Sequence, residues 1–104
     1  MGLRGIESTN SVLKRLQDWY ASQCNGDWEH QFGIRIETVD NPGWSVEIDL
    51  VETEWQDTAF AEVRTSKNTS DWIICFKRGS RFVGSGDPSK LTDILAYFLT
   101  VVNG

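Results

Sequence analysis

The chain has 104 residues, 39% of them hydrophobic, and its ten basic and fifteen acidic residues leave a formal charge of -5. That size suits one domain able to bury roughly two-thirds of the surface its unfolded chain exposes. The acidic balance, with Lys and Arg nowhere clustered, argues against nucleic acid as a partner, and no apolar run reaches the length of a membrane span.

The opening MGLRGIESTN lacks the apolar core of a secretion signal, and its Met1-Gly2 start is a poor match to a lipidation sequence. A cytoplasmic protein is expected, with Cys24 and Cys75 as free thiols. The Asn68-Thr69-Ser70 triplet, a glycosylation sequon elsewhere, is then a polar loop.

The first periodic segment predicts an amphipathic helix over 11–24. Val12, Leu13, Leu16, Trp19, Tyr20 and Cys24 share one face, and Lys14, Arg15, Asp18 and Ser22 lie opposite. Thr9, Asn10 and Ser11 are candidate N-caps, and Asn25-Gly26 is a helix stop. The period then changes to two. Phe32, Ile34 and Ile36 alternate with polar residues, as do Trp44, Val46, Ile48 and Leu50, and VDNPG lies between the two runs. This predicts an antiparallel hairpin of segments 32–38 and 44–50. A three-residue loop Asn41-Pro42-Gly43, with Gly43 left-handed, keeps one apolar face and pairs Ile36 with Ile48. In that register Arg35 faces Asp49, whereas Glu37 faces Glu47 at a cost in stability.

Further strands are expected near 58–65, 71–77 and 81–85. DWIICFK is apolar on both parities, which suggests a strand that is central or covered on both sides. Trp55 lies in the polar stretch ETEWQD, which the pattern does not place. A second helix is expected from Ser89, with Asp87 as cap, Pro88 in its first turn, and Leu91, Ile94, Leu95, Phe98, Leu99 and Val102 buried. There is no repeat or linker, so residues 1–104 read as a single domain. The fold class is α+β: an N-terminal helix, an antiparallel sheet of about five strands and a C-terminal helix, both helices on one face of the sheet.

The stretch CNGDWEHQFG, residues 24–33, holds a thiol, two carboxylates, an indole and the chain's single histidine. One histidine six positions after one cysteine is a poor zinc pattern, and no second ligand pair exists, so no metal is expected. A Cys24–His30 nucleophilic pair is disfavoured because Cys24 falls on the apolar helix face. GSGDPS lacks the third glycine of a dinucleotide loop and reads as a glycine-rich turn and helix cap. Trp19, Trp44 and Trp72 read as core, and Trp28 and Trp55 are the indoles available to a partner. The candidate partner-binding surface is Asp27, Trp28, Glu29, His30, Glu37, Asp40, Glu47 and Asp49, an acidic outer strand face joined to the preceding loop and the hairpin turn. The rival is a small enzyme or ligand-binding regulatory domain using Asp27, Glu29 and His30.

The run LQDWYASQCNGDWEHQFGIRIETVDNPGWSVEIDL, residues 16–50, resembles the immunity protein 53 family of bacterial polymorphic toxin systems. DWIICF (71–76), GSGDP and LTDILAYFL (91–99) are similar to that family's second half, and residues 51–70 resemble nothing in it. The resemblance implies a cytoplasmic protein that neutralises a cognate toxin by binding it; it does not imply catalysis, and no cofactor is expected. It carries over no contact residues and leaves the toxin and the oligomeric state open. The acidic balance would suit a basic toxin such as a nuclease, whose cleft holds phosphate.

Overall fold

A computed structural model describes residues 4–103, with side chains described for residues 11–102. The readings about a leader and lipidation rest on Met1 and Gly2, outside the described residues. Helix α1, Arg4–Gln23, starts well before Ser11, so the polar run Thr9-Asn10-Ser11 lies inside it rather than capping it. Gly26, with φ of +97°, ends this segment of chain as expected. A four-residue helix α2, Trp28–Gln31, leads into the hairpin β1 (Ile34–Val39) and β2 (Gly43–Asp49). After a long irregular segment come β3 (Val63–Asn68), β4 (Asp71–Arg78), β5 (Arg81–Gly86) and helix α3 (Leu91–Asn103). The sheet order is β1-β2-β5-β4-β3, antiparallel throughout, giving the α+β class.

The core lies between the sheet and the helices. Val46, Ile48, Cys75 and Phe82 point from the sheet towards Leu16 and Trp19 of α1 and Ile94, Leu95, Phe98, Leu99 and Val102 of α3. Five of the six residues expected on the buried face of α3 are buried, and Leu91 is half-buried. Among the described side chains of α1, Leu16 and Trp19 are buried, whereas Leu13 and Tyr20 stay exposed. The apolar stripe of α1 is therefore wider than the surface that covers it. The glycines of GSGDPS belong to β5 rather than to a turn, because α3 lies so close that a Cβ on Gly84 would run into the Ile94 side chain.

The hairpin register differs from the expected one by two residues. Ile34 pairs with Ile48, Ile36 with Val46 and Val39 with Gly43, so the loop is Asp40-Asn41-Pro42, with a cis Asn41–Pro42 peptide. Gly43 is not left-handed; it opens β2 at a point where a Cβ would run into the carbonyl oxygen of Gly86. Close approach of β2 to β5, rather than turn conformation, requires glycine there. A two-residue shift preserves the apolar face but changes the charges in contact. Arg35 now faces Glu47 and Glu37 faces Ser45, so the Glu37–Glu47 repulsion does not arise.

β4 is an interior strand, paired on both edges, which meets the first of the two expected alternatives but not the second. It lies next to the edge strand β3, and no helix covers its outer face, where Trp72, Ile74 and Phe76 are half-buried against neighbouring strands. Asp87 joins the far end of the sheet to α3. Its Oδ1 accepts from Ser89 N–H (2.8 Å) and Ser89 O–H (2.6 Å), and its Oδ2 accepts from Trp72 N–H (2.8 Å) and Lys90 Nζ (2.7 Å). Lys90 Nζ also reaches Asp71 (2.8 Å), and the helix starts at Leu91, after a Pro88-Ser89 turn.

Candidate functional site

The GDWEH stretch folds on itself. Asn25 Oδ1 accepts from the N–H groups of Asp27 (2.9 Å) and Trp28 (3.0 Å), supplying the cap that α2 needs. Glu29 reaches back, its Oε1 accepting from Asn25 N–H (2.9 Å) and Oε2 from Gly26 N–H (2.8 Å). These backbone donors, its own N–H first among them, hold the Glu29 carboxyl below its ordinary range. Trp28 is 1% exposed, its ring 6.1 Å from Trp19 and its indole N–H donating to Val51 O (2.9 Å). It is a core residue with no surface to offer a partner, contrary to its place in the expected surface.

The other expected residues divide into two groups. Asp27, His30, Glu37 and Asp40 are exposed. Glu47 and Asp49 are half-buried and held by Arg81, at 3.4 Å and 3.1 Å, and Asp49 also accepts from Gly33 N–H (3.0 Å). The outer sheet face is not acidic, because Arg35, Arg64, Arg78 and Arg81 share it with Glu37, Glu47 and Asp49. Glu29, His30, Arg35 and Asp49 do meet around one open hollow of about 250 Å³, below the ~300–1,000 Å³ usual for small-molecule sites. The Cys24 thiol donates to Tyr20 O (3.3 Å), and no Cys24–His30 hydrogen bond occurs among the described residues. Nor do three His, Cys, Asp or Glu side chains come together among them as a metal site.

Sequence reasoning left residues 51–57 unplaced and expected a strand over 58–65, but β3 begins only at Val63, so 58–62 belong to the same irregular segment. This segment has no regular secondary structure, yet it is fastened along its length. Trp28 holds Val51 O, Lys77 Nζ donates to Gln56 O (2.6 Å) and Thr58 O (2.7 Å), and the Tyr97 hydroxyl donates to Ala61 O. Trp55 packs 6.0 Å from Trp19, and Phe60 lies 6.1 Å from Phe82. Glu52, with φ of +61°, donates its N–H to the Gln56 side chain (2.7 Å). Outward, the loop shows Glu52, Glu54, Asp57 and Glu62, all exposed. Only Glu62 has an ion-pair partner among the described residues, Arg64 at 3.0 Å. The signal was present in the sequence as four acids and no base in VETEWQDTAFAE. What was missing was any periodicity to say that the segment is ordered.

The family model described as immunity protein 53 matches residues 13–103. The chain belongs to that family. As an immunity protein 53 member it falls in a group whose name points to toxin neutralisation, which is typically non-enzymatic and implies a cognate toxin as partner. The match runs through residues 51–70, which the motifs alone had left unassigned. Searches of curated proteins and of solved structures returned no match. No helix among the described residues is long and apolar enough to cross a membrane.

Proposed function

We propose that this immunity protein acts in the cytoplasm by binding a basic toxin domain, of which a nuclease is the natural example, through the acidic surface of loop 51–62 together with Asp27. Family membership supports the neutralising role. The surface is supported by one observation: Glu52, Glu54 and Asp57 are exposed, lack ion-pair partners among the described residues, and sit on a loop tied down by Trp28, Lys77 and Tyr97. Asp27 is included because it is exposed and the next residue, Trp28, is bonded to Val51 at the start of the loop. Carboxylates fixed in advance lose little freedom on binding and speed encounter with a positive cleft. The hairpin acids are weaker candidates, since Arg81 already neutralises Glu47 and Asp49.

The test begins with a pull-down from the native host and identification of the captured toxin by mass spectrometry. Association kinetics are then measured for Glu52→Lys/Glu54→Lys/Asp57→Lys and for Asp40→Lys/Glu47→Lys, each checked for folding. The loop variant should associate at least about tenfold more slowly at low salt, with the deficit shrinking as salt rises, and the hairpin variant should be affected less. A folded loop variant that binds at the parental rate at low salt would remove loop 51–62 from the interface.

A further inference from the structure

The large hydrophobic side chains exposed among the described residues are Leu13, Tyr20, Ile36 and Val39, at 39–46%. All four lie on α1 or β1. Leu16, Gln17 and Tyr20 of α1 line an apolar groove with Gly33 and Ile34, alongside an open edge of the sheet. The two edges are built differently. β3 carries a bulge between Ser66 and Asn68 and an exposed Lys67, devices that discourage strand addition. β1 has no bulge, its exposed charges Arg35 and Glu37 lie on the outer face, and the side chains it turns inward, Ile34, Ile36 and Thr38, are uncharged. Its hydrogen-bond phase is also defined. Asp49 N–H donates to Gly33 O (3.0 Å), so odd-numbered residues of β1 turn their backbone groups to β2. The N–H and C=O groups of Ile34, Ile36 and Thr38 therefore face the open edge.

We propose that this edge is the interface of a homodimer, in which β1 pairs antiparallel with β1 of a second copy about a two-fold axis at Ile36. The charges select that register. With Ile36 opposite its own counterpart, Ile34 meets Thr38 and these outward-facing residues exchange hydrogen bonds. Arg35 then meets Glu37 of the second copy, twice by symmetry, at the non-hydrogen-bonded positions where side chains come closest. Moving the axis one residue in either direction sets Arg35 against Arg35 or Glu37 against Glu37. The outer-face alternation Arg81, Glu47, Arg35 thus continues into the second copy. On the inner face the exposed Ile36 pairs with itself beneath the open flanks of the two α1 helices, where Leu13 and Tyr20 wait for cover. The toxin surface at loop 51–62 takes no part, so the two proposals stand or fall separately.

Sedimentation velocity across a range of concentrations tests this on the full chain. The parent should show a species of twice the 11.8 kDa chain mass. Ile36→Lys, at a position already exposed, should remain folded by circular dichroism and be monomeric. Arg35→Glu and Glu37→Arg should each weaken dimerisation by about tenfold or more, since two symmetric pairs turn from attraction to repulsion. The double variant Arg35→Glu/Glu37→Arg should recover most of that loss. A parent that is monomeric at every concentration, a folded Ile36→Lys that still dimerises, or a double variant no better than the singles would overturn the proposal.

Discussion

Trp28 and Trp19 are both buried indoles in the same aromatic cluster, but only one uses its N–H. Trp28 donates to Val51 O, whereas Trp19 Nε1 has no acceptor among the described residues. Replacing each by Phe removes a similar volume and tests the hydrogen bond by difference. At Trp28 the change also leaves Val51 O without its donor, adding about 1–2 kcal/mol to the packing cost. At Trp19 it removes a buried donor that was unsatisfied, so the polar part should be near zero or favourable. Trp28→Phe should therefore be less stable than Trp19→Phe by about 1–2 kcal/mol, read as midpoint differences in urea unfolding at unchanged slope. In a domain of this size that corresponds to roughly 4–16 °C in Tm. Trp28→Ala should cost about 3–5 kcal/mol, a large part of the usual 5–15 kcal/mol total. Equal stability of the two Phe variants would refute the hydrogen-bond reasoning. A cost below about 1 kcal/mol for Trp28→Ala would show that the indole is not core at all.

Lys90, followed by Ser89, holds the Asp87 carboxyl well below the usual range, and a group so depressed stabilises the fold above its unfolded pKa, losing that contribution as pH falls. Acid unfolding of the parent should therefore steepen below about pH 4, and Asp87→Asn should be less stable at neutral pH but show a shallower acid limb in a pH series of urea midpoints. Burial pushes the Cys75 thiol up to about 11, so an aromatic disulfide reagent should label Cys24 alone in the native protein and both thiols in urea. Rapid native labelling of Cys75 would contradict the packing. Gly84→Ala should cost about 1–3 kcal/mol by collision with Ile94, and combining it with Ile94→Ala should cost less than the two single changes together, as a double-mutant cycle would register.

Local pattern alone determined much of this fold. The 3.6-residue period of 91–102 and the two-residue alternation of the second hairpin strand each name the side that leaves water, whereas the same alternation in β1 leaves Ile36 exposed. The stop at Gly26 and the role of Asp87 beside the last helix were legible for the same reason, since they depend on neighbours in sequence. The register of the hairpin was not. Alternation is unchanged by a shift of two, and the choice is made by Gly43 meeting Gly86, residues that only the folded sheet brings together. The burial of Trp28 was equally hidden, because its acceptor at Val51 is 23 positions away. The order of loop 51–62 depends likewise on Lys77 and Tyr97, which lie 19–21 and 36 positions from the carbonyls they hold. Periodicity reports which residues must be buried together. Which partner each one finds, and which carboxylates are left facing outward without a counter-charge, is decided only when distant segments pack.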